Sequence, residues 1–378
     1  MVRVVWYQHR AALLGLGAAL AGLAAVLVAA GLRGRAEYAY FLRVGCASPG
    51  DGLTGLNHCV FIAAGFPWLN HYDSLPGSGT AFPDSVSLAI MVLFVLAGMF
   101  LGAPLVSREY EQGTFRFAWT QGTSRVRWCG LKAGILGGVV TLAGAGTGAL
   151  AAWALVPFNE LGATSHWLRG EFESGPATAA GWALLTFMAG VLAGAVLKRV
   201  TPAIAATGVG LVALLGAYYA QLYQLLLGFR PRSVPENAAA QWAGPGITAE
   251  PDRVGTVPTF IIAGPHQPGP AGALQVSSYY LGPDGRPPAG AAAVRLIMGW
   301  NQAGRRYDQV AWLTSHHYSY WINYQPAGRY WWFQLGTGAG LIIVALLLGA
   351  GAIGLVRRRG ARIRSRDART RGRQPEPV

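Results

Sequence analysis

Lysine is almost missing from this chain of 378 residues: only Lys132 and Lys198 occur, and arginine supplies nearly all of the 30 basic side chains. Charge of either sign is scarce, at 12% of residues, against about 25% in a soluble domain. Cysteine occurs three times, as Cys46, Cys59 and Cys129. That is too few for a disulfide scaffold, and no C-x-x-C pair repeats, so a zinc ribbon is excluded as well. Neither lysine sits in a Gly-x-x-x-x-Gly-Lys-Ser/Thr loop, the arrangement whose amides cradle nucleotide phosphates. A P-loop ATPase is therefore excluded. No internal repeat is discernible.

What the chain has instead is apolar length. Hydrophobic residues make up 52% of it and 53 residues are glycine. Six stretches contain no Asp, Glu, Lys, Arg or His: Ala11–Leu32, Ser85–Val106, Ala133–Val156, Ala177–Leu197, Thr201–Leu227 and Phe333–Val356. Each is long enough to cross a hydrocarbon core of about 30 Å. Backbone groups in lipid must pair within their own segment, so these runs read as helices. The fold class is an all-α polytopic membrane protein with six spans. Pro202 stands at a helix start, where its missing N–H is harmless; Pro104 falls in the last turn of the second span and is expected to kink it. Arg3 and Arg10 ahead of an apolar run imitate a signal peptide, with Val28-Ala29-Ala30 as a cleavage site. The run of 22 residues exceeds the usual h-region of roughly 7–15, so a retained helix is the reading.

Charge orients the spans. With residues 1–10 in the cytoplasm, the inner segments are 1–10, 107–132, 198–200 and 357–378. They hold 18 basic and 4 acidic residues, a net of +14, whereas the outer segments hold 12 of each. The whole formal charge lies on one side, as the positive-inside rule requires. This disposes of nucleic acid as a partner, which would need a soluble basic face. Both termini are then cytoplasmic, in a cell membrane. The basic tail, 357–378, with nine arginines, is expected to be disordered and held near anionic membrane lipids.

The outer segments are unequal. The first, 33–84, contains Cys46 and Cys59 on the oxidising side, and a Cys46–Cys59 disulfide is expected from compartment alone; two free thiols are the alternative. His58 beside Cys59 is too little for a metal site. The second, 157–176, is short. The third, 228–332, is too long for a structureless connection and reads as a small external domain. Within it Ala273–Leu281 runs into a Gly282-Pro283-Asp284-Gly285 turn, and Ala291–Gln302 and Tyr307–His317 look like short helices. Its aromatic end, with Tyr318, Tyr320, Trp321, Tyr324, Tyr330, Trp331 and Trp332, reads as an interfacial belt; a substrate-contacting surface is the sharper alternative. Small-residue pairs recur at Gly98/Gly102, Gly134/Gly138, Gly144/Gly148, Gly190/Gly194 and Gly336/Gly340. They permit close helix contact but single out no dimer face.

The segment 107–132, SREYEQGTFRFAWTQGTSRVRWCGLK, is too polar to cross a membrane and too patterned for a plain connector. Ser107 is expected to cap a short helix with Glu109 and Glu111 in its first turn. Phe115, Phe117 and Trp119 give that helix an apolar side. Gly122-Thr123-Ser124 breaks it, and Ser124 is expected to cap the next helix, entered through Arg125, Arg127 and Trp128. An interfacial anchor is one use of such an element; a lever for a cytoplasmic partner is the other.

These residues carry a resemblance. Arg108, Glu109, Glu111, Gly113, Thr114, Arg116, Ala118, Trp119, Thr120 and Gln121, continued by Ser124, Arg125, Arg127 and Trp128, resemble the cytoplasmic signature of ABC-2 type permeases, above all their actinobacterial branch. The run from Tyr324 to Trp331 resembles the entry to the last span in the same branch. The resemblance implies that 107–132 includes a coupling helix docking on a separate ABC ATPase subunit. Arg108, Glu109, Glu111, Gly113, Thr114, Phe115, Arg116, Phe117, Trp119, Gln121 and Arg125 would then be its partner-binding residues. It also implies paired permeases, as a homodimer or with a second permease. No cofactor is expected in this chain, ATP and Mg²⁺ being bound by the ATPase. One departure stands out: many such permeases begin with an amphipathic connecting helix, for which residues 1–10 leave little room.

The spans lack the Asp, Glu, His or Arg that proton- or ion-coupled transporters place in the membrane, and no cluster of catalytic groups stands at a span end. The expected function is the non-catalytic permease of an ATP-driven exporter for an amphipathic or lipid-like compound. A non-transporting immunity or sensor protein, binding a ligand through 228–332, is the alternative.

Overall fold

The computed structural model describes residues 2–45, 81–112, 125–160, 167, 169–218, 228–236, 273–288, 290–302 and 306–371, with short strands at 47–48, 52–53, 247–250 and 259–262. Six of the described helices are long and apolar enough to cross a membrane. In chain order the helices are α1 (Val2–Arg43), α2 (residues 81–112), α3 (Arg125–Glu160), α4 (Arg169–Glu173), α5 (Pro176–Leu197), α6 (Val200–Ala217), α7 (Ala291–Gln302), α8 (Arg306–Ser315) and α9 (Tyr330–Arg371). The spans are α1, α2, α3, α5, α6 and α9.

Charge marked where spans leave an apolar environment, but it did not mark where helices stop. Residues 1–10 belong to α1 from Val2 onward, and α1 continues through Arg33, Arg35 and Glu37 to Arg43. Arg35 helps to hold that overrun: it donates to Gly31 O and to Trp153 O of α3, each at 2.8 Å, and lies 4.0 Å above the Trp153 ring. The expectation of a disordered basic tail is likewise corrected as far as Arg371, to which α9 runs without a break; residues 372–378 lie outside the described residues. Arginine and alanine, good helix formers, make up most of residues 357–371, and no proline interrupts the helix before Arg371. The last residues of the expected fifth span, 219–227, lie outside the described residues, as do Cys46 and Cys59 and with them the disulfide.

Just before Pro104 the second span changes its hydrogen-bond pattern. Gly98–Gly102 forms a π-turn, in which the Ala103 N–H donates to Gly98 O. Proline at 104 cannot donate to the Phe100 carbonyl and its ring crowds that oxygen, and the wider turn makes room.

Helix α5 is the axis of the bundle. It packs against α9, α3, α2 and α6, and Trp182, Ala183, Phe187 and Ala195 along it are fully or nearly fully buried. Glycine permits this. A Cβ on Gly190 would meet the Gly98 carbonyl of α2, and one on Gly102 would meet that of Phe187. Gly144 and Gly148 lie equally close to Ala179 and Ser174. Three of the five glycine pairs are thus contacts within the chain, made where backbones touch. Gly134, Gly138, Gly336 and Gly340 face open space.

The fold is not all-α. In the 228–332 region β3 (Arg232–Glu236), β7 (Ser319–Gln325) and β6 (Leu274–Leu281) form an antiparallel sheet in the order β3-β7-β6. Two further hairpins, β1–β2 (Ala47–Ser48 and Gly52–Leu53) and β4–β5 (Ile247–Glu250 and Thr259–Ile262), form separate two-stranded sheets. Helices α7 and α8 supply Leu296 and Leu313 to a core with Tyr280, Tyr320 and Ile322. After β6, Gly285 takes φ +70° and donates to Gly282 O at 2.9 Å, the conformation a glycine adopts without strain. Three of the seven residues read as an aromatic belt lie in a strand instead: Tyr320 and Tyr324 are buried on one side of β7, with Trp321 between them. β-branched and aromatic residues at alternate positions suit a half-buried strand. Trp331 and Trp332, in the first turn of α9, do stand exposed.

Candidate functional site at the basic end of the bundle

The end of the bundle that carries Arg108, Lys132 and Lys198 gathers the charged side chains singled out from the sequence. Ser107 does not cap a new helix there. It is buried within α2, its hydroxyl donating to Ala103 O at 2.8 Å, and α2 continues to Gln112. The first turn of the expected coupling helix is therefore the last turn of the second span. Gly113, Thr114, Phe115, Arg116, Phe117, Trp119 and Gln121 lie outside the described residues. Arg125 opens α3.

Glu109 turns into the bundle. Its Oε1 accepts from Lys132 Nζ at 2.7 Å, with the lysine side chain 2% and the glutamate 18% exposed. Lys132 lies about two turns into α3, and its ammonium sits 3.6 Å above the Trp128 ring one turn earlier. The cation is thus held on one side by a carboxylate and on another by a π face. Cys129, on the same face of α3, is a buried free thiol.

Glu111 does something different. Two residues on from Glu109, it projects about 200° around the helix, away from α3. Its Oε2 accepts from the Val200 N–H at 2.9 Å. That amide is the first of α6 and has no partner within its own helix, and a carboxylate suits the positive end of the helix. Only Lys198, in the left-handed conformation with φ 62°, and Arg199 separate α5 from α6. The last turn of α2 is therefore gripped from two sides, by α3 through Lys132 and by α6 through Val200.

Beside this grip lies a cleft of about 370 Å³ between α1, α2 and α6, bordered by His9, Phe100, Pro104, Arg108, Glu111 and Ile204. His9 is buried, at 7% exposure. The opposite end of the bundle holds a second polar cluster. Gln334 of α9 donates to Phe172 O at 2.6 Å and its Oε1 accepts from the Thr178 hydroxyl at 3.1 Å. Trp182 Nε1 donates to Glu173 at 2.5 Å, and Asn159 to Glu171 at 3.1 Å. Trp167 packs on Phe172, Tyr330 and Phe333 there.

Sequence reasoning did not assign Lys132, His9, Glu171, Glu173 or Gln334 a place. The one usable signal was Lys132, one of two lysines and set at the threshold of an apolar run. Among the described residues no cluster of three His, Cys, Asp or Glu side chains forms a metal site.

A family model described as ABC-2 membrane transporter related matches residues 17–222. The chain belongs to this family. The matched range covers more than half of the chain, from within α1 past the end of α6, and includes the whole of the 107–132 segment. Neither a curated protein nor a solved structure matches the chain significantly. As an ABC-2 permease with six apolar helices, the protein is a multi-pass membrane protein, and its family is typically the non-catalytic membrane component paired with an ABC ATPase.

Proposed function

We propose that this ABC-2 family member is the membrane-spanning subunit of an ATP-driven exporter, coupled to its ATPase through residues 107–132. The observation that carries the reading is the double grip on the last turn of α2. The stretch 113–124 connects α2, held by Glu109 and Glu111 to α3 and α6, with the first residue of α3 at Arg125. A force applied to that stretch is delivered to three spans at once. On the charge distribution this end faces the cytoplasm, where an ATPase works. Both termini then lie inside, and residues 228–332 outside.

In this reading the residues that follow the described end of α2, among them Phe115, Arg116, Phe117, Trp119 and Gln121, meet the ATPase. Glu109 serves the grip rather than the partner. Two permeases and two ATPases make the working transporter, ATP and Mg²⁺ residing in the latter. The arginine-bearing end of α9 continues beyond the span among anionic lipid head groups. The uncharged length of the spans fits an amphipathic or lipid-like cargo moving outward.

The test pairs purification with one substitution. The tagged wild-type chain is expected to bring down a P-loop ATPase whose hydrolysis is stimulated by transported amphiphiles. Glu111→Lys is expected to abolish export with membrane insertion unchanged, and Glu111→Gln, which keeps an acceptor for Val200, to retain most of it. Export unaffected by Glu111→Lys sinks the coupling role. A wild-type chain that copurifies with no ATPase returns the reading to a sensor or immunity protein.

A further inference from the structure

We propose that the cleft between α1, α2 and α6 is a binding site for an anionic amphiphile, its phosphate or carboxylate held by Arg108 and its hydrocarbon laid along Phe100, Pro104 and Ile204. The charges of this end sort themselves. Lys132 and Glu109 neutralise each other, and Glu111 is spent on the Val200 amide at the positive end of α6. Arg108 borders the cleft, and among the described residues no hydrogen bond or ion pair engages its guanidinium. A guanidinium matches a phosphate or carboxylate with paired N–H donors, and such charge-assisted bonds are the strong ones. An anion at this spot meets an uncommitted cation.

The floor of the cleft is apolar. Phe100, an exposed side chain, lines it, and Pro104 and Ile204 continue the surface. A free inorganic anion would leave that surface unused. The volume, about 370 Å³, falls in the range of small-molecule sites. Helix α1 packs on α3, while α6 packs on α5 and α2, so α1 and α6 form the two walls with α2 as the floor between them. Those walls belong to spans that are largely unburied by the chain itself, so the cleft adjoins surface available to lipid.

Two sources supply this chemistry: a resident anionic phospholipid, or a free amphiphile of the kind proposed as cargo. The site rests on the membrane placement of the chain and not on export. The full chain is delipidated in detergent, exposed to phosphatidylglycerol or phosphatidylcholine, and examined by native mass spectrometry. One phosphatidylglycerol retained per chain in preference to phosphatidylcholine is expected. Arg108→Gln is expected to lower that retention by about tenfold, the scale of one charge-assisted contact. Ile204→Trp, which fills the floor and keeps the cation, is expected to lower it similarly, and Arg108→Lys to preserve most of it. Displacement by dodecyl phosphate identifies a free amphiphile as occupant, and resistance to it identifies a resident lipid; both support the site. Equal retention by the wild type, Arg108→Gln and Ile204→Trp overturns it, as does displacement by inorganic phosphate as effective as by dodecyl phosphate. A wild-type chain that retains no phosphatidylglycerol in preference to phosphatidylcholine, yet exports, removes this site alone. Retention intact with no copurifying ATPase removes the exporter reading alone.

Discussion

Replacing Lys132 by Met removes a cation that is 2% exposed and leaves the Glu109 carboxylate, 18% exposed, facing the interior without its partner at 2.7 Å. Breaking a buried pair from one side costs about 3–5 kcal/mol, because the remaining charge keeps its desolvation penalty and loses its compensation. Glu109 is less deeply placed than Lys132, so the lower end of that range, about 3 kcal/mol, is expected. Glu109→Gln is milder. The amide oxygen still accepts from Lys132, and the Trp128 ring at 3.6 Å still faces the ammonium, a contact of about 0.5–2 kcal/mol. A loss of about 1–2 kcal/mol is expected. The double variant carries no isolated charge, and similar cases come out near neutral. The cycle of the two single variants and the double should therefore give a coupling energy of about 2 kcal/mol or more. The assay is reversible unfolding of the reconstituted chain in mixed micelles, with intrinsic tryptophan fluorescence as readout. A coupling energy below about 0.5 kcal/mol, the scatter of independent sites, would refute the buried grip between α2 and α3.

Other perturbations read other parts of the bundle by the same unfolding assay. Gly190→Ala forces a Cβ into the Gly98 carbonyl and to 2.8 Å from Ala103 N, so a loss of several kcal/mol is expected, on the scale of overpacking or more. Gly134→Ala, which meets nothing within 4 Å, should instead be neutral or gain up to about 1 kcal/mol from helix propensity; similar losses in both would refute the α2–α5 contact. Gln334→Leu removes the buried acceptor of the Thr178 N–H and one of the two side-chain donors to the Phe172 carbonyl, the Thr178 hydroxyl being the other, at about 1–3 kcal/mol; no change would remove the clamp between α9 and α5. Burial, and then Tyr320, push the Tyr280 hydroxyl well above its ordinary range. Its contribution is therefore present below the unfolded value of about 10 and is lost as pH rises beyond it. Ultraviolet titration should show Tyr280→Phe to lack the last, strongly alkaline tyrosinate step, and a chain titrating all its tyrosines near 10 would contradict the packing of β6 on β7.

The spans were legible because hydrocarbon tolerates few charges, and apolar length is a property of consecutive residues. Their ends were less so. Arg33, Arg35 and Glu37 signal an exit from lipid, yet an α-helix of good formers continues across that boundary, as α1 and α9 both do. What escaped entirely were relations across the chain. Glu109 and Lys132 are 23 positions apart, and Glu111 and Val200 are 89 apart, and no local pattern tells a carboxylate which way it will turn. Ser107 shows the same limit from the other side. It has the chemistry of a cap, but a helix already in progress absorbed it and its hydroxyl bonded back to Ala103. The aromatic run at 318–324 was ambiguous in kind, since a membrane interface and a half-buried strand select the same residues.

The two contacts on the end of α2 differ in strength, and the difference bears on how the proposed lever would act. The Glu109–Lys132 pair is shielded from water, so solvent and salt screen it weakly. The Glu111–Val200 contact is exposed, and a cap of that kind contributes about 0.5–2 kcal/mol. Under a load arriving through residues 113–124, the weaker contact gives way first. Helices α2 and α3 then move as one body, while α6 is free to shift against them about the short Lys198–Arg199 link. The glycine contacts favour the same division. They press α2 and α3 onto α5 along Gly102 and Gly144, whereas Gly208 of α6 meets α2 only through the flexible end of Met99. Of the two spans joined to the end of α2, the one held less firmly is therefore α6, and its movement would open or close the space in front of Arg108.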